Sequence, residues 1–439
     1  MAINDWNLVV AKKNTDLLSN CMKPPLNHLS TTANSEQTLK ARVQRTTLIT
    51  LAGSQVGGGI GAFAALAVTT LLANQIVGSA TLAGIPQTSR ELGAAGAAYI
   101  IARVSNSHGR RVGLVAGYAA CLFGSLVCVL AGLESSLILL TFGMIFVGAG
   151  LAGTWQARFA ATDLAHEQHR GRAMSVVMWA TAAGAAAGPA LAGPAGDVAL
   201  MFGLPRLTGG FLVAALGALI AGGWIALGIK VDPLLLARQF APSKDSSRQH
   251  VSALSAVRMR RQVVYAILAI ATAHAAMLAV MVIAPLQMQR DGASLETIGA
   301  VIGLHIAGMY SLSPLVGWCT DRIGPRSVTL TGATMMLTGV AVIAIFTSSL
   351  ILFAVGLLSI GLGWSCTMIG TSTAITSALP LDLRPAVQGF SDLVMGGVGG
   401  LAGAIAGVVV GEWGFLPLSL AEAATLGITV LAALAIRHR

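Results

Sequence analysis

The sequence predicts an all-α membrane protein with twelve transmembrane helices, arranged as two six-helix halves. Its composition, its apolar segments and its internal repeat support this fold class. Of the 439 residues, 55% are hydrophobic and only 10% are charged. Soluble domains usually carry about 25% charged residues. The chain is therefore expected to lie in a lipid bilayer.

Twelve segments are long and apolar enough to cross a membrane, since a spanning helix needs roughly 20 apolar residues. An even number of spans places both termini on the same side. The predicted spans are 46–72, 77–103, 112–132, 136–160, 172–194, 208–229, 262–286, 295–319, 327–347, 349–379, 385–410 and 414–436.

The basic residues predict the orientation. Of the 27 Lys and Arg residues, all but Arg90, Arg206 and Arg290 fall in segments that this topology assigns to one side. Basic residues accumulate in cytoplasmic loops, so both termini are predicted to be cytoplasmic in a cell-membrane protein. The net charge of +10 follows from this topology. A nucleic-acid partner is not expected, because no basic stripe with interleaved aromatic residues is present.

Matching residues recur in the two halves at nearly the same spacing. Gly109 and Gly324 mark two similar loops, and Arg170 and Arg384 precede spans five and eleven at almost the same interval. Parallel repeats of this kind are typical of secondary transporters. The predicted organisation is a cytoplasmic tail at 1–45, a first half at 46–229, a cytoplasmic linker at 230–261 and a second half at 262–436.

A short charged loop between spans eight and nine carries the most specific motif. Its sequence, GWCTDRIGPR, resembles the signature loop of the major facilitator superfamily, G-x-x-x-D-R-x-G-x-R. The matching residues are Gly317, Asp321, Arg322, Gly324 and Arg326. The resemblance implies a transporter in which two six-helix halves alternate access to a central cavity.

The first half carries a weaker copy of this loop at 102–111. Gly109 and Arg111 match the motif, with Arg110 at the variable position between them. Ala102 stands where the family has Gly, Asn106 where it has Asp and Ser107 where it has Arg.

Two groups of polar residues are predicted to close the cytoplasmic side. Asp321 is expected to face the N-terminus of span five, where Arg172 and the helix dipole both favour a carboxylate. Gln156, Arg158 and Asp163 form a similar cluster at the inner end of span four, interpreted as gate and helix-end contacts.

Span five contains a second motif, which is similar to the family's antiporter motif G-x-x-x-G-P-x-x-G-G. Its residues are Gly184, Gly188, Pro189 and Gly193, with Ala192 replacing one Gly. Pro189 is expected to bend the helix. The resemblance implies proton-coupled export.

Glycines at four-residue steps in spans one and eleven predict close helix approach, either as static packing or as sliding surfaces. These series are Gly53, Gly57 and Gly61, and Gly399, Gly403, Gly407 and Gly411.

Ionisable residues inside a span are functional candidates because burying them in a membrane is costly. Arg90 and Glu91 are predicted near the middle of span two, pointing about 100° apart, so that at least one turns to the cavity or another helix. Our hypothesis is that Glu91 exchanges protons and Arg90 orients an anionic group or biases the protonation of Glu91. Alternatively, the span begins later and both residues lie at the outer surface.

His274, His305 and Asp392 are further candidates for substrate or proton binding. Neutral imidazole suits proton exchange near neutral pH. We favour His305 of the two, because Met309 and Ser313 continue its helix face; structural hydrogen bonding is the alternative for both. Asp392 either binds a proton or pairs with the first-half loop as part of a gate.

The sequence thus favours a monomeric secondary transporter that exports a small amphiphilic compound in exchange for protons. Proton-linked or facilitated uptake of a nutrient is the alternative, and a non-transporting receptor or scaffold on the same fold is a third. No enzyme, cofactor or metal site is indicated, because no nucleophile–base arrangement occurs and the five cysteines form no C-x-x-C pair.

Overall fold

A computed structural model describes residues 26–241, 254, 257, 260–346 and 349–435. The beginning of the predicted tail, much of the predicted linker after residue 241 and the last four residues lie outside this range. The chain divides into two units, Met1–Arg45 and Thr46–Arg439. In the first unit, residues 26–45 are helical, and Lys40 pairs with Glu36 one turn earlier.

The described residues form fifteen α-helices and no β-strand. These are α1 (Leu26–Val77), α2 (Ala80–Ala83), α3 (Ile85–His108), α4 (Arg110–Leu133), α5 (Leu137–Ala160), α6 (Arg170–Met201), α7 (Gly209–Gly228), α8 (Pro233–Gln239), α9 (Arg261–Arg290), α10 (Leu295–Tyr310), α11 (Ser313–Ile323), α12 (Pro325–Ile345), α13 (Leu350–Ala378), α14 (Arg384–Trp413) and α15 (Phe415–Ala435).

The prediction of an all-helical, twelve-span membrane protein is confirmed. Eleven stretches of the described chain are long and apolar enough to cross a bilayer, and one of them, Thr297–Ile323, includes most of α10 and all of α11. The twelfth span is α3, which has 24 residues but is less apolar than the others. Span eight is interrupted because Pro314, in the first turn of α11, cannot continue a regular helix from α10.

The position of Arg90 and Glu91 within span two differs from the prediction. The helix begins at Ile85, not near residue 77, so both residues lie in its second turn and not at its middle. Gly78 has a positive φ of 63°, which ends α1, and Pro86 occupies the first turn of α3. Proline is favoured there because its missing N–H is not needed.

Both signature loops lie on one side of the bundle. Arg110 donates to Gln388 Oε1 near the start of α14 at 2.8 Å. Arg326 donates to the carbonyl of Leu434 near the end of α15 at 2.7 Å. We call this side the loop side and the opposite side the far side. The halves meet where α3 packs on α14 and where α6 packs on α10 and α11.

Candidate functional site

Arg110, the first residue of α4, joins three helices at the loop side. Its side chain is fully buried. Nε and Nη2 donate to the two carboxylate oxygens of Asp163 at 2.8 and 3.2 Å, and Nη2 also donates to Gln388 at 2.8 Å. Because Gln388 belongs to the second half, this network ties the two halves together.

A second network lies deeper in the bundle and centres on Asp392 in α14. Arg158 Nη2 donates to Oδ1 at 2.5 Å, and Gln156 Nε2 donates to Oδ2 at 2.7 Å. Arg158 also donates to Ser372 Oγ at 3.1 Å. Asp392 therefore pairs with α5; the contact with the first-half loop, one predicted alternative for Asp392, is made by Gln388 instead.

Asp321 forms the third link between the halves. Its oxygens accept hydrogen bonds from the backbone N–H groups of Gly171 at 2.7 Å and Arg172 at 3.0 Å, at the start of α6. The Arg172 side chain approaches to 3.8 Å. A carboxylate at a helix N-terminus is stabilised by the unpaired N–H groups and the helix dipole. We call these three networks, centred on Arg110, Asp392 and Asp321, the loop-side closure.

Two glycines explain the shape of the second-half loop. A Cβ on Gly317 would lie 2.5 Å from the carbonyl oxygen of Gly171, so only glycine allows α11 to approach α6 this closely. Gly324 has φ +88°, a left-handed conformation that glycine adopts without strain.

The two arginines of this loop take no part in the contact with α6. Arg322 lies over the Trp318 ring, and Arg326 donates to a carbonyl at the end of α15.

The first-half loop is held by the linker. Arg238 of α8 donates to the carbonyl oxygen and the side-chain oxygen of Asn106 at 2.7 and 2.5 Å. Asp232 accepts a hydrogen bond from the N–H of Arg111 at 2.9 Å and also caps α8. Sequence reasoning missed both linker residues, although an Asp before Pro233 is a recognisable helix start.

The antiporter-like motif packs inside the first half. Cβ atoms on Gly184 and Gly188 would lie 2.5 Å from the Gly59 backbone and 2.7 Å from the Ile60 carbonyl oxygen, so these glycines bring α6 against α1. Pro189 lies within α6, and no described atom would lie within 4 Å of a Cβ on Gly193.

Arg90 and Glu91 pair directly with one another, at 2.6 Å between Nη2 and Oε1. The two residues were expected to point about 100° apart on the helix; their side chains nevertheless meet, because the long Arg side chain can curl back to its neighbour. The side chains are only 9% and 8% exposed. Among the described residues, Arg90 Nε is buried and has no hydrogen-bond partner.

His274 in α9 lies beside the rings of Trp155 and Trp364. Its Nδ1 accepts a hydrogen bond from Trp364 Nε1 at 3.0 Å. Its ring lies 5.8 Å from that of Trp155, and Trp364 lies 5.9 Å from Tyr310. We call Trp155, His274, Tyr310 and Trp364 the aromatic cluster. It combines α5 of the first half with α9, α10 and α13 of the second.

His305 occupies a different place. It is fully buried, and its Nδ1 donates to the carbonyl of Leu357 at 2.7 Å. Because Leu357 lies in α13, this bond joins two helices of the second half. Its surroundings match the structural alternative for a buried His.

One face of α14 connects the closure with the deeper groups. Gln388, Asp392, Gly396 and Gly400 follow at four-residue steps, and we call them the α14 stripe. Gln388 meets Arg110 and Asp392 meets Arg158. Cβ atoms on Gly396 and Gly400 would lie 2.9 Å from the Trp155 ring and 3.4 Å from the Glu91 Cβ.

The predicted glycine face of span eleven extends less far than expected. A Cβ on Gly399 would lie 2.6 Å from the His274 ring, and one on Gly403 would lie 3.5 Å from Val282. Around Gly407 and Gly411, no described atom lies within 4 Å. The predicted close approach is therefore absent in the far-side part of α14. In span one, by contrast, Gly53, Gly57 and Gly61 all pack against α7.

The sequence did not single out Trp155, Tyr310 or Trp364. Aromatic residues make up only 5% of the chain, and these three are separated by long stretches of sequence. Helical spacing shows which residues share a face but not which faces of α5, α10 and α13 converge. Among the described residues, no group of three or more His, Cys, Asp or Glu side chains is arranged to hold a metal ion.

This arrangement of two six-helix halves, closed at the signature loops, agrees with the comparisons with known proteins. The family model described as Major Facilitator Superfamily matches residues 49–404 and 266–439. The MFS-type transporter YdeG of Bacillus subtilis is 34% identical over 377 residues, covering 85% of this chain and 88% of YdeG. The chain therefore belongs to the major facilitator superfamily of transporters.

Two further comparisons extend this result. The riboflavin transporter RfnT of Brucella anthropi is 25% identical over 329 residues, which is 74% of this chain and 78% of RfnT. The E. coli fucose:proton symporter FucP has the same fold, with a TM-score of 0.64 at 15% identity over 90% of this chain and 100% of FucP.

Proposed function

We propose that this transporter exports a small amphiphilic compound from the cytoplasm in exchange for protons, by alternating access. The loop side is cytoplasmic, as the basic residues predict. One observation carries the proposal: hydrogen bonds at Gln388, Asp392 and Asp321 join the halves at the loop-side closure. The buried Arg90–Glu91 pair lies beyond this closure, next to Gly400 of α14.

The closure fits a gate because its links can break together. Arg110, Asp392 and Asp321 each join first-half atoms to second-half atoms. Rocking the halves apart at the loop side would separate all three networks, and the glycine-lined contacts at Gly317 and Gly396 would part with them. Gating of one bundle against the other around a shared site is the expected motion for such repeats.

Glu91 is the residue that we propose to exchange protons. It is buried within the helix bundle in the second turn of α3, it pairs with Arg90, and the α14 stripe packs beside it. When Glu91 is ionised, the pair is neutral overall; when Glu91 takes a proton, Arg90 is left with an unpaired charge that attracts an anionic or acceptor group. Proton binding and substrate binding are thereby linked.

Export is favoured over uptake by the antiporter-like motif in α6. Its Gly184 and Gly188 bring α6 tightly against α1. Proton-linked uptake of a metabolite remains the second candidate, and the similarity to RfnT, whose name states riboflavin transport, supports it.

Proteoliposomes with an imposed pH gradient test the proposal. A panel of amphiphilic compounds is offered first, and the compound that wild type accumulates is used thereafter. We expect Glu91→Gln to abolish accumulation driven by the gradient, because the amide cannot take up a proton. It should still catalyse exchange of labelled for unlabelled compound across the membrane.

Glu422→Gln is the matched control. Glu422 is a buried carboxyl in α15, within the second half. This variant should accumulate the compound as wild type does. Gradient-driven accumulation by Glu91→Gln would refute the proton role, and a wild-type protein that moves no compound in either direction would refute transport.

A further inference from the structure

The aromatic cluster is placed where a transported compound would meet both halves. Trp155 comes from the first half, and His274, Tyr310 and Trp364 come from the second. The closure lies directly beneath it, since Arg158 Nη1 donates to the Trp155 carbonyl at 2.6 Å. Along α14, Gly396 and Gly399 contact Trp155 and His274 one to two turns beyond Asp392.

The hydrogen bond from Trp364 fixes the role of each His274 nitrogen. The indole N–H can only donate, so Nδ1 of His274 must accept. Neutral His274 then carries its proton on Nε2, which makes Nε2 a donor. Among the described residues this buried Nε2 has no hydrogen-bond partner.

Arg90 presents a second donor of the same kind. Its Nη2 is used by Glu91, whereas its Nε–H is buried and has no acceptor among the described residues. Glu91 and His274 flank the same turn of α14, because Cβ atoms on Gly400 and Gly399 would lie 3.4 Å from Glu91 Cβ and 3.3 Å from His274 Nε2. Buried donors without acceptors are costly, and a ligand acceptor would satisfy them.

The aromatic rings of the cluster supply apolar contacts in addition to the two hydrogen-bond donors. Trp155 stands edge-on to His274 at an interplanar angle of 89°, and Tyr310 stands at 73° to Trp364. The Trp155–His274 contact joins the two halves, so separation of the halves exposes the faces and edges of both rings. A flat conjugated ring can take the place of that contact by stacking or by edge-to-face packing.

We propose that the aromatic cluster and Arg90 bind a planar conjugated compound that carries a carbonyl or carboxylate acceptor. The ring system inserts between Trp155 and His274, and the acceptor group receives hydrogen bonds from His274 Nε2 and Arg90 Nε. This inference rests on the proposed transport function and specifies its substrate class.

Equilibrium binding to the purified full chain in detergent tests the inference without any gradient. The probes are riboflavin, which is flat with ring carbonyls, and 1-naphthoate, which is flat with a carboxylate. Decahydronaphthalene-1-carboxylate is the matched control compound, since it keeps the carboxylate and the carbon skeleton but loses planarity. We expect at least one flat probe to bind at least about tenfold more tightly than the saturated compound, as aromatic contacts are lost.

Two substitutions and two controls locate the site. Trp155→Leu removes a ring, and His274→Phe keeps a ring but removes the Nε2 donor; each should weaken binding by about tenfold. Trp155→Phe keeps an aromatic ring and should bind within about threefold of wild type, which guards against a misfolded Trp155→Leu. Trp224→Phe, packed against Gly53 away from the cluster, should bind as wild type.

The inference is overturned if neither flat probe binds, if the saturated compound binds as tightly, or if Trp155→Leu and His274→Phe both bind as wild type. These outcomes are separable from failure of the proposed function. Selective binding without proton-driven movement would refute proton coupling alone, whereas proton-driven transport of non-planar compounds only would refute the inference alone.

Discussion

Arg158 and Asp392 form the most deeply buried charge pair between the halves, with side chains 2% and 0% exposed. The attraction of such a pair is offset by the desolvation of both charges. What makes the arrangement stable is that both Asp392 oxygens are bonded, one to Arg158 and the other to Gln156. The pair is therefore suited to a contact that must both form and break.

Asp392→Asn should destabilise the protein strongly, because it leaves the Arg158 cation buried without its counter-charge. Removing one partner of a buried pair costs about 3–5 kcal/mol. Thermal denaturation in detergent should show a clearly lower midpoint for Asp392→Asn. The double variant Arg158→Met with Asp392→Leu should recover most of the loss, since no charge is left buried. A single variant that melts with wild type would contradict the pairing.

Which side chains converge was only partly predictable from the sequence. The Asp321 carboxylate was expected to face the N-terminus of span five, because the loop motif and the helix dipole both favour that contact. It does so, bonding to the N–H of Gly171 at the start of α6. The surroundings of Arg158 and Gln156 were expected only as a polar cluster. The aromatic cluster was not expected at all, because its four residues come from four helices whose rotation about their axes the sequence does not fix.

Helix α14 organises the interface between the halves. Its stripe presents two polar residues at the loop side and then two glycines, so that the hydrogen-bonded closure gives way to close backbone packing towards Trp155 and Glu91. Further along, Gly407 and Gly411 have no described neighbour within 4 Å. The helix thus contacts the first half through its loop-side portion, whereas further along Ala406 and Val410 pack against α9 and α15 of the second half.

Gly396→Val should open the loop side, because its Cβ would lie 2.9 Å from the Trp155 ring and 3.0 Å from Ala95. The reporter is the substitution Ser372→Cys, made in a chain whose native cysteines are replaced. Ser372 is fully buried and accepts a hydrogen bond from Arg158 at the closure. A membrane-impermeant maleimide applied from the loop side should label it faster in Gly396→Val. Gly407→Val is the control, because no described atom lies near that position, and it should label at the rate of the parent. Equal labelling rates in the parent, Gly396→Val and Gly407→Val would contradict the role of the stripe.

The helices themselves were largely predictable, because length and apolar composition decide which segments cross a bilayer. The residues at which the helices begin and end were less predictable. Span two begins about two turns later than predicted, since Gly78 and Pro86 interrupt the helix where hydropathy alone continues it. The short helix α8 was also missed. Its N-cap residue Asp232 accepts a hydrogen bond from the N–H of Arg111, and Arg238 donates to the carbonyl of Asn106, so the linker holds the first-half loop in place.

Taken together, the two halves are joined by hydrogen bonds at the loop side and by close packing deeper in the bundle. Asp321 is the simplest point at which to weaken this closure, because it joins α11 to the start of α6 through two backbone hydrogen bonds and one nearby cation. Its substitution by Asn keeps the size of the side chain and removes the charge that the α6 N-terminus favours.

The most direct test of alternating access measures two distances in the same protein. Spin labels are placed on exposed residues of opposite halves, Val112 with Ile323 at the loop side and Ile138 with Ile345 at the far side. Pulsed electron paramagnetic resonance then compares the parent with Asp321→Asn. Alternating access predicts that the variant lengthens the loop-side distance and shortens the far-side distance. If both distances stayed the same, or both changed in the same direction, the two halves would not be rocking about a shared site.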